Sequence, residues 1–208
     1  MFIQGPSGSG KSTLLGLIGG VIRPARGEGT IHLLGHPMHR LSGWRRDAVR
    51  ANHVGFIFQM FNLIPYLDAL ANVMLPCRFS RTRRQRAAAQ GGAEAEARRL
   101  LEHLGLGEEE LLRRLPSELS VGQQQRVAAA RALIGAPEVL IADEPTSALD
   151  ADRKEVFIEL LLRECAALGT TVLFVSHDAS LEPLFDRSIS LAEINRIAST
   201  PVKPAVAA

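Results

Sequence analysis

Short apolar runs recur along the chain, and three of them are typical of buried strands in a parallel sheet. They are His53 to Phe58 (HVGFIF), Val139 to Ala142 (VLIA) and Thr170 to Val175 (TTVLFV), and each is partly β-branched or aromatic. We also expect a strand at Met1 to Gln4, unless that strand belongs to a missing segment, and an edge strand from Ser188 (SISLA).

Apolar residues with helical spacing lie between these runs. They predict a helix over residues 14–18 and a longer helix over 152–168, which Gly169 would end. The alternation of strand and helix predicts an α/β fold with a mainly parallel sheet. In such folds the ligand site lies at the carboxyl ends of the strands.

The middle of the chain departs from this alternation. From about Asn72 to Pro116 there is almost no strand pattern, and we expect a helical subdomain over about 72–136, inserted into the α/β core. We interpret residues 1–199 as one domain and 200–208 as a disordered tail. The arginines of the middle segment are Arg78, Arg81, Arg83, Arg84, Arg86, Arg98 and Arg99. No aromatic ladder suited to single-stranded nucleic acid accompanies them, which favours a solvated helix face.

Composition narrows the choice of partners. The 208 residues suffice for one domain with a sizeable core, and a net charge of +2 gives no reason to expect nucleic acid. Two cysteines without metal or redox spacing indicate free thiols in a reducing compartment. We expect neither a membrane span nor a secretion signal, and therefore a cytoplasmic protein.

A glycine-rich stretch near the N-terminus has the pattern of a phosphate-binding loop, G-x-x-x-x-G-K-S/T. Its glycines let backbone N–H groups turn towards phosphate oxygens, and the following helix directs its positive end at them. Lys11 can reach the β- and γ-phosphates, and the Ser12 hydroxyl can ligate Mg²⁺. The residues predicted to bind nucleotide here are Gly5, Pro6, Ser7, Gly8, Ser9, Gly10, Lys11, Ser12 and Thr13. The alternative is a flexible glycine–serine turn, but the apolar helix that follows favours phosphate binding.

Two adjacent acids end the predicted strand VLIA. A carboxylate at a strand end beside a phosphate loop is suited to hold Mg²⁺, which is the role we predict for Asp143. Glu144 would lie beside the γ-phosphate, and we predict that it positions the attacking water or acts as general base. The alternative is that both acids merely begin a surface turn before Pro145.

The stretch ELSVGQQQRVAAARAL predicts a well-capped helix. Ser120 and Gln123 form a capping box at its start, and Gly135 with Pro137 ends it. Gly122 costs helix stability but lets a ligand approach the backbone, so this helix start is a second candidate anion site. Two phosphate-facing sites in one chain make sense if two copies face head to tail and each completes the site of the other.

Taken together, these segments resemble the ABC-type ATPases, which are P-loop NTPases. Residues 5–12 resemble Walker A, 139–144 Walker B, 119–123 the signature motif and 147–150 the D-loop. Gln59 and His177 correspond to the Q-loop glutamine and the switch histidine. The resemblance implies that Gln59 touches Mg²⁺ or the attacking water and that His177 contacts the γ-phosphate. It also implies that Ser120, Gly122, Gln123 and Asp150 help to bind the ATP at the dimer interface.

Two features depart from the family pattern. Val121 stands where many members have glycine, but a β-branched residue fits at the first helical position, so we expect activity to survive. Members of the family carry an antiparallel β-portion before Walker A, with an aromatic residue that stacks on adenine. Because four residues precede Gly5 here, we expect a truncated chain that binds ATP weakly and folds poorly.

The resemblance implies an ATP-hydrolysing subunit of an ABC transporter, with ATP and Mg²⁺ as cofactors. Its partners would be a second ATPase subunit and a transmembrane permease, which would hold it at the inner face of the membrane. The segment FQMFNLIPYLDALANVMLP, from Phe58, resembles the lipoprotein-releasing and macrolide-exporter branch. The alternatives are a soluble ABC ATPase acting on DNA or ribosomes, and an inactive remnant. The short distance between Gln59 and Leu119 argues against the DNA-repair members, which insert a long coiled coil there.

Overall fold

The computed structural model describes residues 1–6, 8–24, 29–147 and 151–195, without the side chains of 151 and 152. The strands are β1 (Phe2–Gln4), β2 (His32–Leu33), β3 (His36–Pro37), β4 (Val54–Ile57), β5 (Val139–Asp143), β6 (Thr171–Val175) and β7 (Ser188–Ser190). The helices are α1 (Lys11–Ile18), α2 (Gly43–His53), α3 (Ala69–Phe79), α4 (Arg81–Ala89), α5 (Ala93–His103), α6 (Glu109–Leu112), α7 (Val121–Leu133), α8 (Ala151–Leu168) and α9 (Leu191–Ile194). Two short 3₁₀ segments occur at Pro116–Glu118 and Ala179–Leu184.

Five strands form one sheet in the order β4-β5-β6-β1-β7, and each neighbouring pair is parallel. The sequence prediction of an α/β fold with a mainly parallel sheet is therefore confirmed, and β7 is an edge strand as expected. Since the strands are parallel, the segments that follow β1, β4, β5 and β6 all leave the sheet at the same edge. Those segments carry, within their first two residues where they follow β4, β5 and β6, Gln59, Glu144 and His177, while the phosphate loop follows β1.

Alternate residues of each strand point to opposite faces of the sheet, and each face has its own apolar core. On one face, Ile3, Ile141 and Val175 pack with Leu15 of α1 and Val49 of α2.

The other face belongs to a larger core. Its sheet residues include Ile57, Leu140 and Phe174, and they share one cluster with α8 and the helices that lie between β4 and β5 in the chain. We call α3 to α7 the helical lobe. The lobe and the sheet therefore share a single apolar core.

The ends of α7 agree with the sequence prediction. The helix begins directly after Ser120, and it stops at Leu133, two residues before Gly135. Gly135 has φ of +70°, and a Cβ there would lie 2.6 Å from Cβ of Arg83. Glycine at this position thus serves both the left-handed backbone and the close passage of α4.

The prediction of a solvated arginine face is wrong for Arg83. Only 2% of this residue is exposed, and its guanidinium donates hydrogen bonds to the carbonyl oxygens of Val54 (2.7 Å), Ala132 (3.2 Å) and Ile134 (3.2 Å). Two other arginines of the middle segment also form ion pairs: Arg86 lies 2.6 Å from Glu138, and Arg99 lies 2.7 Å from Glu164. These arginines join the lobe to the sheet and to α8 rather than to solvent.

Three elements between residues 24 and 54 were not predicted from the sequence. The antiparallel hairpin of β2 and β3 has two residues in each strand, too few to show an alternating pattern. Helix α2 (GWRRDAVRANH) buries a single side chain, that of Val49, so its apolar periodicity is weak. Within the described part of the chain, none of the helices has both the length and the apolar character needed to cross a membrane.

Candidate active site

The phosphate loop connects β1 to α1 at the carboxyl edge of the sheet. Gly8 and Gly10 have φ of +77° and +94°, a region that favours glycine, and Gly10 is the N-cap of α1. The Lys11 side chain is 9% exposed, and its ammonium donates to the carbonyl oxygens of Gly5 (2.7 Å) and Pro6 (3.1 Å). The backbone curvature and the buried cation fit an anion at this helix start. Ser7, the third predicted loop residue, lies outside the described residues.

Glu144 follows β5 in a left-handed backbone conformation, with φ of +46°. Its N–H donates to the carbonyl oxygen of Val175 on β6 at 3.0 Å, which fixes the turn against the sheet. One carboxylate oxygen lies 3.6 Å from Nζ of Lys11, and the other lies 2.7 Å from Nδ1 of His177. The strained turn therefore aims the carboxylate between the phosphate-loop lysine and the histidine that follows β6.

A separate set of contacts holds the turn that carries His177. The Asp178 carboxylate accepts hydrogen bonds from the backbone N–H (3.2 Å) and the hydroxyl (2.6 Å) of Ser180, and it pairs with Lys154 of α8 at 3.3 Å. The hydrogen bonds from Ser180 are the main reason that the pKa of Asp178 lies below its usual value. His177 itself is 64% exposed on its side chain, so its imidazole can reach a ligand.

The predicted residues meet around two adjoining cavities. The lining of a cavity of about 340 Å³ consists of Gly8, Gly10, Lys11, Ser12, Thr13, Gln59, Asp143 and Glu144. A second cavity of about 460 Å³ is lined by Lys11, Gln59, Glu144 and His177. Four segments that are distant in sequence thus bring a cation, two carboxylates, an amide and an imidazole to one place. This set of groups suits a polyphosphate and the hydrolysis of its terminal phosphate.

The donor set beside the phosphate loop fits a magnesium ion. Mg²⁺ prefers oxygen ligands, and it is commonly held by one or two carboxylates together with phosphate oxygens and water. Ser12, Gln59 and Asp143 offer a hydroxyl, an amide oxygen and a carboxylate in the same cavity. Among the described residues, no group of three or more His, Cys, Asp or Glu side chains could hold a metal ion by itself. Phosphate oxygens and water would therefore have to complete the coordination.

Ser120, Gly122 and Gln123 lie elsewhere. The Ser120 hydroxyl accepts from the N–H of Gln123 at 3.3 Å, and the Gln123 amide oxygen accepts from the N–H of Ser120 at 2.8 Å, which is the predicted capping box. Ser120 is exposed, and within the described chain these three residues do not line either cavity. The structure therefore leaves this helix start open to an external ligand. Asp150 lies outside the described residues.

Two residues of α7 connect it to the site and were not found from the sequence. The buried Gln125 donates from Nε2 to the carbonyl oxygen of Pro145 at 2.7 Å, directly after Glu144. Arg131 donates to the carbonyl oxygens of Phe61 and Asn62, two and three residues after Gln59. Both residues sit in runs of glutamine, arginine and alanine whose pattern predicts only a helix, so the sequence offered no signal for their contacts.

Comparison with known protein families agrees with this geometry. The family described as ABC transporter matches residues 1–147, which include the phosphate loop, the Ser120 segment and the two acids at the end of β5, Asp143 and Glu144.

Individual relatives match most of the chain. An uncharacterized ABC transporter ATP-binding protein, YbbA of Escherichia coli (strain K12), is 45% identical over 193 residues, which are 91% of this chain and 78% of YbbA. The lipoprotein-releasing system ATP-binding protein LolD of Shewanella denitrificans is 44% identical over 191 residues, 92% of this chain and 78% of LolD.

Solved structures of ATP-binding cassettes share the fold. The dimeric bacterial ABC transporter cassette MJ0796 superimposes with a TM-score of 0.78 at 38% identity, covering 91% of this chain and 79% of the cassette. A dimeric post-hydrolysis state of the same cassette, bound to ADP and Pi, gives a TM-score of 0.75.

Proposed function

The chain belongs to the ABC transporter family, and we propose that it is an exporter-type ATPase subunit that drives a separate membrane permease as a head-to-tail dimer. The family assignment makes it an ATP-binding cassette and an ATP hydrolase. The meeting of Lys11, Gln59, Glu144 and His177 around one cavity is the observation that supports hydrolysis at this site.

In this proposal the phosphate loop binds the triphosphate of ATP. Lys11 exchanges its present acceptors, the carbonyl oxygens of Gly5 and Pro6, for β- and γ-phosphate oxygens. Ser12, Gln59 and Asp143 would hold Mg²⁺, which would neutralise charge on the phosphates when bound.

Glu144 then acts on the attacking water. Its carboxylate orients the water or accepts its proton, and the contact with His177 at 2.7 Å keeps the carboxylate turned towards the γ-phosphate position. His177 is exposed enough to donate from its other ring nitrogen to the γ-phosphate. Removal of the Glu144 charge should therefore stop hydrolysis while leaving the phosphate loop intact.

The dimer is supported by the position of the Ser120 segment. Ser120 and Val121 at its capped helix start are exposed and Gly122 is half-buried, away from the chain's own cavities. A second copy, turned head to tail, would bring its triphosphate to this helix start. Asp150, between Glu144 and α8 in the sequence, is proposed to line the same interface.

The exporter assignment is supported by the relatives, because the LolD proteins are named as parts of a lipoprotein-releasing system. The permease partner and attachment at the inner face of the membrane are proposed on the same ground. The lobe consists of helices of four to thirteen residues, with no long coiled coil among its described residues, which disfavours a DNA-repair ATPase.

Size-exclusion chromatography of Glu144→Gln with ATP tests the catalytic assignment. We expect the variant to bind ATP, to hydrolyse it at least about a hundredfold more slowly and to elute as a dimer. A variant that stays monomeric with ATP and hydrolyses it normally would remove the role given to Glu144.

Ser120→Asp in the Glu144→Gln background tests the dimer geometry. Aspartate caps a helix as well as serine does, so the free energy of unfolding should change by less than about 0.5 kcal/mol. Its charge would repel the γ-phosphate of the second copy, so the ATP-dependent dimer should disappear. Ser42→Asp, at the exposed N-cap of α2, is the matched control and should leave the dimer intact. A dimer that persists in Ser120→Asp would disprove the head-to-tail arrangement.

A further inference from the structure

The loop after Gln59 contains two consecutive residues in a conformation that favours glycine. Phe61 has φ of +58° and Asn62 has φ of +51°, although neither is glycine. Left-handed conformations are unfavourable for residues with a Cβ and persist where surrounding contacts enforce them. Phe61 is 6% exposed, so the loop is also anchored in the protein interior.

Arg131, near the C-terminus of α7, makes the contacts that enforce this conformation. Its Nη2 donates to the carbonyl oxygen of Phe61 at 2.5 Å, and its Nη1 donates to that of Asn62 at 2.7 Å. A guanidinium holds its donors in a fixed planar fork, so two successive carbonyls can be bound only when the backbone turns sharply between them. Burial also lowers the pKa of Arg131 from its ordinary value.

The far end of the same loop is fixed by α3. The buried Asn72 side chain donates to the carbonyl oxygens of Ile64 (3.1 Å), Leu67 (2.9 Å) and Asp68 (3.1 Å), and it accepts from the N–H of Ile64 at 2.8 Å. Residues 61–68 are therefore tied to the lobe at two places. Gln59 lies on the other side of the Arg131 contact, where the loop reaches the active-site cavity.

We propose that Arg131 is a positioning residue, which sets the place of Gln59 in the active site by fixing Phe61 and Asn62 to α7. The inference rests on the proposed ATPase function. Helix α7 rises about 16 Å between Ser120 and Arg131. One rigid element thus joins the loop of a chain's own ATP site to the helix start proposed to meet the ATP of its twin.

Arg131→Gln tests this inference, and Arg126→Gln is the matched control. Arg126 lies on the same helix and donates to a single backbone carbonyl, that of Leu104 in the lobe, at 2.5 Å. Both variants lose a contact between a guanidinium and a carbonyl, but only the first releases the Gln59 loop. Arg131→Lys keeps the charge without the fork and should give values between those of the wild type and Arg131→Gln.

The first measurement is hydrogen–deuterium exchange without nucleotide, so it does not depend on activity. In Arg131→Gln we expect exchange at residues 61–64 to rise about tenfold or more, with the N-terminal half of α7 unchanged. Arg126→Gln should leave 61–64 as protected as in the wild type. Equal loss of protection throughout α7 and the loop would indicate plain destabilisation and overturn the proposal.

The second measurement is steady-state ATP hydrolysis. Misplacement of Gln59 should lower kcat about tenfold, while KM for ATP changes by less than about twofold because the phosphate loop is untouched. If kcat of Arg131→Gln stays within about twofold of Arg126→Gln, the positioning role is refuted. A wild-type protein without ATPase activity would instead refute the proposed function, while the exchange result would still report on the loop.

Discussion

Replacement of Arg83 by methionine tests how the lobe is joined to the sheet. Arg83 projects from α4, yet its guanidinium binds Val54 at the start of β4 and two carbonyls at the end of α7. Methionine has a similar length and suits an apolar site, but it donates no hydrogen bond. The change therefore leaves three carbonyl oxygens without this donor while nearly preserving the packing.

The expected loss follows from two opposing contributions. Hydrogen bonds from a charged group contribute about 1.5–3 kcal/mol each, so three give roughly 5–9 kcal/mol. Burial lowers the pKa of Arg83 to about 10, which corresponds to a cost of roughly 3 kcal/mol for keeping the charged form inside the protein. Methionine removes that cost as well. The net loss should be about 2–6 kcal/mol, a large part of the roughly 5–15 kcal/mol by which a domain is stable.

Chemical denaturation followed by circular dichroism measures this loss. For a chain of this size, where 1 kcal/mol shifts Tm by about 2–4 °C, the loss corresponds to a fall in Tm of about 4–24 °C. Arg84→Met is the control, because Arg84 is the next residue on the same helix and is exposed. Its free energy of unfolding should change by less than about 0.5 kcal/mol. If Arg83→Met were as stable as Arg84→Met, the three carbonyl contacts would contribute nothing and the reasoning would fail.

Two further substitutions test other contacts of the same region. A Cβ at Gly55 would lie 2.3 Å from the carbonyl oxygen of Ala132, so Gly55→Ala should lower the free energy of unfolding, measured by urea titration, by at least about 2 kcal/mol. The control is Gly43→Ala, where a Cβ would meet open space and the free energy of unfolding should not fall. Although desolvation acts to raise it, hydrogen bonds from Arg86 and His53 bring the pKa of Glu138 down to about 2. The contribution of ionised Glu138 to stability is complete above the unfolded-state pKa of about 4.5, and it is lost as the pH falls towards 2. The urea midpoint of Glu138→Gln should therefore fall less steeply than that of the wild type between these two pH values. The exposed Glu159→Gln should keep the wild-type slope, and the same slope in both variants would contradict the assignment.

The sequence predicted the parts of this protein that follow from local pattern. The strand around Leu140 is apolar on both faces, and the Ser120–Gln123 box, with Gly135, marks the two ends of α7. The phosphate loop and the acids at the end of β5 could be placed because each requires a fixed residue type at a fixed spacing. The parallel sheet then brings them together, since every relevant strand ends at the same edge.

The contacts that could not be predicted are those of long side chains with distant backbone. Nothing in the spacing of the lobe arginines distinguishes the buried Arg83 from the exposed Arg84. The acceptors of Arg83 and Arg131 are carbonyl oxygens, which every residue possesses, so no partner residue type reveals them. Glu144 was selected for its charge, but its left-handed backbone depends on the N–H bond to β6 and has no sequence signal.

The single apolar core that joins the lobe to the sheet limits how the molecule can be divided. Leu70, Val73 and Val127 share one cluster with Leu140 and Phe157. Removal of either the lobe or the sheet would therefore expose a large apolar surface on the part that remains. A lobe transplanted from a relative would meet side chains of the wrong shape on the recipient sheet. Substitutions at this boundary must therefore change the lobe and the sheet together, in evolution as in protein engineering. Any movement of the lobe relative to the sheet has to be a shear motion across packed side chains and not a hinge motion.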